Sequence, residues 1–205
     1  MKTNKIIMIL GVATLLGFAS CSPEQDIKNP DFTPLTFAED FSVGAVDNTE
    51  LNTQGWFNYA EVGTAKWREQ IYSSNPYAEF SSFSSGNAIN VGWLISPAIN
   101  MDLQDRETLV FQSAQSYVSS SANSLEVFIS KDFNGTNVLT ATWEPLTATL
   151  PLTTSVYFQF INSGEIDLSG YTGNIHIAFK VKGSGTNLAL DGSYQVDNIR
   201  IFNKK

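Results

Sequence analysis

The chain has 205 residues, 42% hydrophobic and 12% aromatic, with 12 Lys and Arg against 20 Asp and Glu, for a net charge of −8. That length supports one sizeable core, and a single cysteine excludes an internal disulfide, so burial alone must hold the fold. An acidic chain without a basic run lacks the electrostatic footprint of a nucleic-acid binder, and its folded part is repelled by anionic lipid surfaces.

The first element in chain order is an export signal over residues 1–20. Lys2 and Lys5 make a positive start, residues 6–18 (IIMILGVATLLGF) are apolar throughout, and Ala19 and Ser20 are small, which is the layout of a secretory signal peptide. The apolar run is shorter than the ~20 residues a membrane-spanning helix needs. The only cysteine, Cys21, stands where cleavage is expected, and Leu16-Gly17-Phe18-Ala19-Ser20-Cys21 resembles a bacterial lipobox, with Phe18 where that motif favours leucine. The resemblance implies lipidation of Cys21 and an outer membrane lipoprotein, facing the cell surface or the periplasm, whose membrane partner is engaged through the lipid anchor alone. Without residues 1–20 the chain keeps ten basic and twenty acidic residues, a net charge of −10. Residues 21–34 carry the acylated cysteine and then SPEQDIKNPDFTP, with three prolines, three acids and few large apolar residues, and read as an extended tether. Glu24 and Asp26 resemble the acidic surface-export signal of Bacteroidetes lipoproteins; a solvated linker accounts for the same residues.

Residues 35–205 read as a single β-sandwich domain. Leu109 and Phe111, then Leu125, Val127 and Ile129, then Ile175, Ile177, Phe179 and Val181, alternate with other residues at period two, the strand signature. Further strands are expected at 35–41, 55–59, 67–72, 77–83, 91–96, 155–160 and 194–202. No apolar stripe of helical period lasts three turns, and the one helical hint is a turn at 167–171. About ten short strands with half-polar faces make an all-β chain, a two-sheet antiparallel β-sandwich. In the last strand Tyr194 and Val196 have one parity and Ile199 and Ile201 the other. A one-residue bulge near Asp197-Asn198 returns all four to one face.

Taken in order, Phe37-Ala38-Glu39-Asp40-Phe41-Ser42, Gly55-Trp56, Trp67, Trp93-Leu94-Ile95-Ser96-Pro97, Thr108-Leu109-Val110-Phe111, Glu126-Val127-Phe128-Ile129-Ser130, Ile175-His176-Ile177 and Tyr194-Gln195-Val196-Asp197-Asn198-Ile199 resemble the choice-of-anchor J domain. That group is similar to cleaved-adhesin and MAM-like domains. The resemblance covers nearly all of residues 35–202 and implies a jelly roll and an extracellular adhesion or accessory module; it does not imply catalysis.

Motifs that carry chemistry are mostly absent. The sequence has one histidine, His176, in a strand between two inward isoleucines and without a nucleophile motif, which points to a structural role. Gly-x-Ser-x-Gly, His-Glu-x-x-His, a P-loop and a dinucleotide fingerprint are missing, and no Cys/His cluster offers a zinc site. A hard cation is the remaining cofactor candidate, since it needs several oxygen ligands. The resemblance implies a possible structural Ca2+ at Glu39, Asp40 and Asp197; the alternative is that Asp40 and Asp197 hydrogen-bond turn and bulge backbone. Trp56 and Trp143, each beside turn residues, are the candidate ligand-binding aromatics, with core filling as the alternative. The expected function is an envelope-tethered, non-catalytic binding or adhesion module, possible ligands being a glycan or a surface protein. The alternative is a glycan-processing enzyme or accessory protein with two carboxylates brought together by the fold. An aromatic and carboxylate cluster in one groove favours the sugar readings, and a flat surface with exposed loops favours protein adhesion.

Overall fold

A computed structural model describes residues 34–204. The expected signal segment, Cys21 and the tether up to residue 33 lie outside the described residues. Strands follow in the order β1 (Leu35–Glu39), β2 (Thr49–Glu50), β3 (Phe57–Val62), β4 (Arg68–Tyr72), β5 (Asn75–Ser81), β6 (Asn90–Ile95) and β7 (Ile99–Asn100). After a 3-10 turn at Met101–Leu103 come β8 (Glu107–Ser116), β9 (Ser124–Ser130), β10 (Glu144–Pro145), β11 (Ile161–Asn162), β12 (Ile166–Asp167), β13 (Asn174–Gly183) and β14 (Ser193–Asn203). No helix among the described residues is long and apolar enough to cross a membrane.

These strands form two antiparallel sheets. Sheet I has eight strands, ordered β11-β8-β14-β5-β4-β2, with β1 also on β14 and β12 also on β8. Sheet II has six, ordered β10-β9-β13-β6-β3, with β7 also on β13. Between them lies the main core, in which Phe80, Leu109, Phe111, Val196, Ile199 and Ile201 of sheet I meet Leu94, Val127, Ile129, Ile177, Phe179 and Val181 of sheet II. Phe111 and Phe179 touch edge to face across it, with centroids 5.1 Å apart. The expected two-sheet sandwich is therefore the observed fold.

The bulge in the last strand is present. Asp197 opposes Gln112 and Arg200 opposes Val110, so two residues of β14 face one of β8. Asn198 takes the left-handed conformation, φ +51, one that asparagine tolerates better than most residues. Tyr194, Val196, Ile199 and Ile201 all point into the core.

Two features depart from the sequence reading. Residues 155–160, expected as a strand from their aromatic and β-branched content, form two turns instead, closed by Ser155 N–H to Leu152 O and Gln159 N–H to Val156 O. Phe158 has φ +59, which no regular strand accommodates. Sheet II, expected to have a half-polar outer face, carries a covered apolar cluster on that face beside polar residues such as Lys180 and Glu126. All of β6 is buried, and Val91, Trp93, Ile95 and Ala178 make a second core with Phe133 and Val138 of the 131–143 segment.

Gly92, on the core side of β6, leaves the space that the Phe80 ring of sheet I occupies. A Cβ on residue 92 would stand 2.1 Å from one ring carbon of Phe80, so the sheets would have to part or the ring turn into a worse rotamer. Gly92→Ala is expected to cost about 1–3 kcal/mol, read as a lower urea midpoint at unchanged slope.

Candidate functional site

The residues singled out from the sequence go to different places. β1 pairs with β14 so that Glu39 faces Ile199 and Ala38 faces Arg200. Alternation then puts Glu39 on the inner side of the sheet and Asp40 on the outer. Glu39 accepts from the Phe41 N–H at 2.7 Å and from Trp56 Nε1 at 3.0 Å. Asp40 Oδ1 accepts from the N–H and hydroxyl of Ser42 at 3.0 and 2.6 Å, and these bonds, the hydroxyl first, hold its pKa below the usual carboxylate value. Asp197 is buried and accepts from Asn198 N–H at 2.6 Å, Asn75 Nδ2 at 3.0 Å and Asn198 Nδ2 at 3.1 Å. Burial raises its pKa, the negative Asp40 adds to the rise, and the Asn75 and Asn198 bonds oppose it. Glu39 and Asp197 thus have a donor on each oxygen, and Asp40 on Oδ1. Among the described residues no three His, Cys, Asp or Glu converge as metal ligands.

The two tryptophans lie in separate clusters. Trp56 is half-buried against the main core, its ring 5.3 Å from that of Phe41 and 6.3 Å from that of Phe37. Trp143 is half-buried in the second core between Trp93 (5.2 Å) and Phe133 (5.6 Å), and its indole N–H donates to Val138 O at 2.8 Å. His176 packs edge to face on Phe133 at 5.0 Å. Its Nδ1 sits 2.8 Å from Ser96 O, and since a carbonyl only accepts, Nδ1 carries the proton.

An open concave site lies on the outer face of sheet I. Because Ala78, Phe80, Tyr194 and Val196 point inward, Tyr77, Glu79 and Ser81 of β5 and Ser193 and Gln195 of β14 point outward. Glu79 Oε2 accepts from Gln195 Nε2 at 2.7 Å and from Ser193 Oγ at 3.2 Å. Ser193 Oγ in turn lies 2.7 Å from Ser116 Oγ of β8. Gln195 is fully buried, and its Oε1 has no partner among the described residues.

Two adjoining cavities of about 660 and 670 Å³ stand on this floor and share Glu79, Tyr157 and Phe158. Tyr117, Phe83, Leu188 and Asp191 bound the first; Tyr72, Tyr77 and Phe160 bound the second. Tyr117 is 64% exposed, and Tyr157 and Phe158 are each 49% exposed. The Tyr117 and Tyr157 rings meet at 4.8 Å, and Tyr77 meets Phe160 edge to face at 5.6 Å. Tyr117 and Phe158 both have left-handed backbones, φ +58 and +59, rare for bulky residues. Phe158 N–H donates to Gln115 O, and Gln115 Nε2 donates to Ser155 O, at 2.8 and 2.7 Å, which ties the aromatic segment to the end of β8. The sequence reading missed this site. Its signal was the outward set Tyr77-x-Glu79-x-Ser81 beside Ser193-x-Gln195, visible once the inward parity of Phe80 and Val196 is fixed.

With this geometry in view, the comparisons with known proteins are informative on fold. Residues 96–204 match the family described as Domain of unknown function (DUF5017). The K3 cleaved-adhesin domain of the Lys-gingipain of Porphyromonas gingivalis W83 superposes with a TM-score of 0.51 at 16% identity, over 83% of this chain and 100% of that one. The K2 cleaved-adhesin domain of Lys-gingipain gives 0.51 at 15% identity, over 82% and 98%. A CBM22-2 xylan-binding domain from Paenibacillus barcinonensis gives 0.49 at 18% identity, over 82% and 99%. No curated protein matches the sequence. The two cleaved-adhesin likenesses show a shared fold, in keeping with the expected similarity to that group.

Tyr77, on the groove floor, provides a measurable check. Burial first, and Glu79 second, push its phenol up to about 12, and burial does the same for Tyr194. Folding raises these pKa values, so the stability each protonated phenol contributes is intact below 10, the ordinary value, and is lost as pH rises from about 10 to about 12. In a spectrophotometric titration Tyr77→Phe and Tyr194→Phe are each expected to remove one phenolate from the late step, and the melting temperature should fall across the same window.

Proposed function

We infer that this chain, which belongs to the DUF5017 family, acts as a non-catalytic binding module that holds glycan in the groove over sheet I. The observation that carries the reading is the joining of exposed aromatic rings at Tyr117, Tyr157 and Phe158 to a fixed polar floor at Glu79, Ser193 and Gln195. Sugars present apolar C–H faces and hydroxyl edges, and a site for them needs flat aromatic surface together with oriented acceptors and donors. Folding alone does not account for leaving such rings in water.

The module is proposed to be tethered to the cell envelope through lipid on Cys21 and residues 21–34. The support is the sequence pattern: Lys2 and Lys5, the apolar run 6–18, and the small pair before Cys21. The hydrolytic alternative has one observation in its favour, since Glu79 and Asp191 line the same cavity. Against it, Glu79 Oε2 already accepts hydrogen bonds from Gln195 and Ser193.

Two outcomes are expected. On a glycan array, Tyr157→Ala and Phe158→Ala should each weaken binding about tenfold, the ~1.4 kcal/mol of one lost stacking ring, with the melting temperature held; turnover of the bound glycan that Glu79→Gln abolishes would transfer the protein to the enzymes. In cells fed a fatty-acid probe, Cys21→Ala should lose the label and leave the membrane fraction, and a mutant labelled as well as its parent would overturn the tether.

A further inference from the structure

We propose that the groove selects a neutral, linear oligosaccharide long enough to occupy both cavities, and that Glu79 rejects chains carrying uronic acid or sulfate. The proposal rests on the glycan-binding reading and narrows it to a ligand class.

Size supplies the first half. Each cavity, about 660 or 670 Å³, has the volume of a complete small-molecule site. They meet at Glu79, Tyr157 and Phe158, so a ligand that fills both runs past the carboxylate and both rings. A single sugar fills one cavity at most; a chain gains contacts on each side of Glu79.

Charge supplies the second half. Glu79 lines both cavities and Asp191 lines the first, while among the described residues no Lys, Arg or His lines either. Arg68 lies opposite Glu79 in the β4–β5 register; it keeps its charge, but it donates to Asn48 O and is not among the residues that line either cavity. An anionic sugar entering the groove thus meets Glu79 and Asp191 with no cation in the lining, and the protein as a whole is acidic.

Hydrogen-bond chemistry points the same way. Gln195 and Ser193 hold Glu79 Oε2, and Oε1 has no hydrogen bond among the described residues. A carboxylate oxygen only accepts, and a sugar hydroxyl donates, whereas a uronate or sulfate oxygen brings another acceptor. The Gln195 amide orientation follows from Glu79, because turning it over would set Oε1 against the carboxylate. That leaves the buried Gln195 Oε1 without a donor beneath the floor, and Glu79 as the floor acceptor that lines both cavities.

The test is affinity electrophoresis and calorimetry of the full-length chain with xylan, mannan, galactan and β-glucan against polygalacturonate, alginate and heparin, at low and high salt. At least one neutral polymer should bind, its oligosaccharides should bind at least tenfold more tightly than the free monosaccharide, and the acidic polymers should bind at least tenfold more weakly. Glu79→Gln should narrow that gap about tenfold. Asp191→Asn, and high salt with the unaltered chain, should narrow it in the same direction, which keeps the test decisive if Glu79→Gln unfolds. Acidic polymers bound as tightly as neutral ones, with Tyr157→Ala abolishing both, would overturn the charge selection and leave the glycan groove standing. A monosaccharide bound as tightly as its oligomers would overturn the chain requirement. No binding to any polymer would overturn the groove reading itself.

Discussion

The sandwich depends on the bulge at Asp197-Asn198. β14 is the central strand of sheet I, and along one edge it pairs with β8 from Ser193 to Asn203. Its other edge is divided: Ser193–Val196 pairs with β5, and Ile199–Phe202 pairs with β1. The bulge stands at the division. It permits two neighbours on one edge while keeping Tyr194, Val196, Ile199 and Ile201 in the core. Asp197 offsets the backbone irregularity by accepting the Asn198 N–H, and Asn75 and Asn198 side chains satisfy its second oxygen. A buried carboxylate is tolerable only with such donors, so this Asp-Asn pair is explained by architecture before any ligand is invoked.

The two outer faces of the sandwich then take different roles. Over sheet II the 131–143 segment is pinned by Asp132, which accepts from Ser130 Oγ, Thr142 N–H and Thr142 Oγ1 at 2.8 to 2.9 Å. It lays Phe133, Val138 and Trp143 over Val91, Trp93 and Ile95. Lys180 closes the neighbouring side, 4.6 Å above the Trp93 ring and 3.2 Å from Glu61. With that face sealed, sheet I presents the open groove. Its position follows from which side the connections cover, a property of topology and not of any one strand.

Local rules made the strands and the bulge legible, since parity in 194–201 follows from side-chain alternation whatever the rest of the chain does. The same rules left two aromatic residues open between ligand platform and core filler. Trp56 and Trp143 are half-buried, and both spend the indole N–H on the protein, at Glu39 and Val138. Pairing Glu39 with Trp56 also explains why adjacent acids in sequence do not act together: successive residues of an extended chain face opposite sides. In 155–160, Val156, Tyr157 and Phe158 carry strand-forming side chains, so composition indicated a strand. Besides the local turn bonds, the segment is held by bonds to Gln115, forty residues or more away in sequence, and no local pattern reports those.

The groove gathers several departures from ordinary folding preferences in one place. Tyr117 and Phe158 hold left-handed backbones, which cost of order 1–3 kcal/mol each in bulky residues, and their rings stay in water instead of joining a core. Beneath them Ser116, Ser193, Gln195 and Glu79 form a polar chain where apolar side chains would pack at lower desolvation cost. Left-handed backbones and unpartnered buried polar atoms also occur elsewhere, at Phe41 and Arg106 and at Trp67 and Glu107, but Phe41 buries its ring. What sets the groove apart is the coincidence, at one site, of strained backbones, rings left in water and a polar floor. The proposed ligand, stacking on the rings and donating to the floor, would use both departures at once.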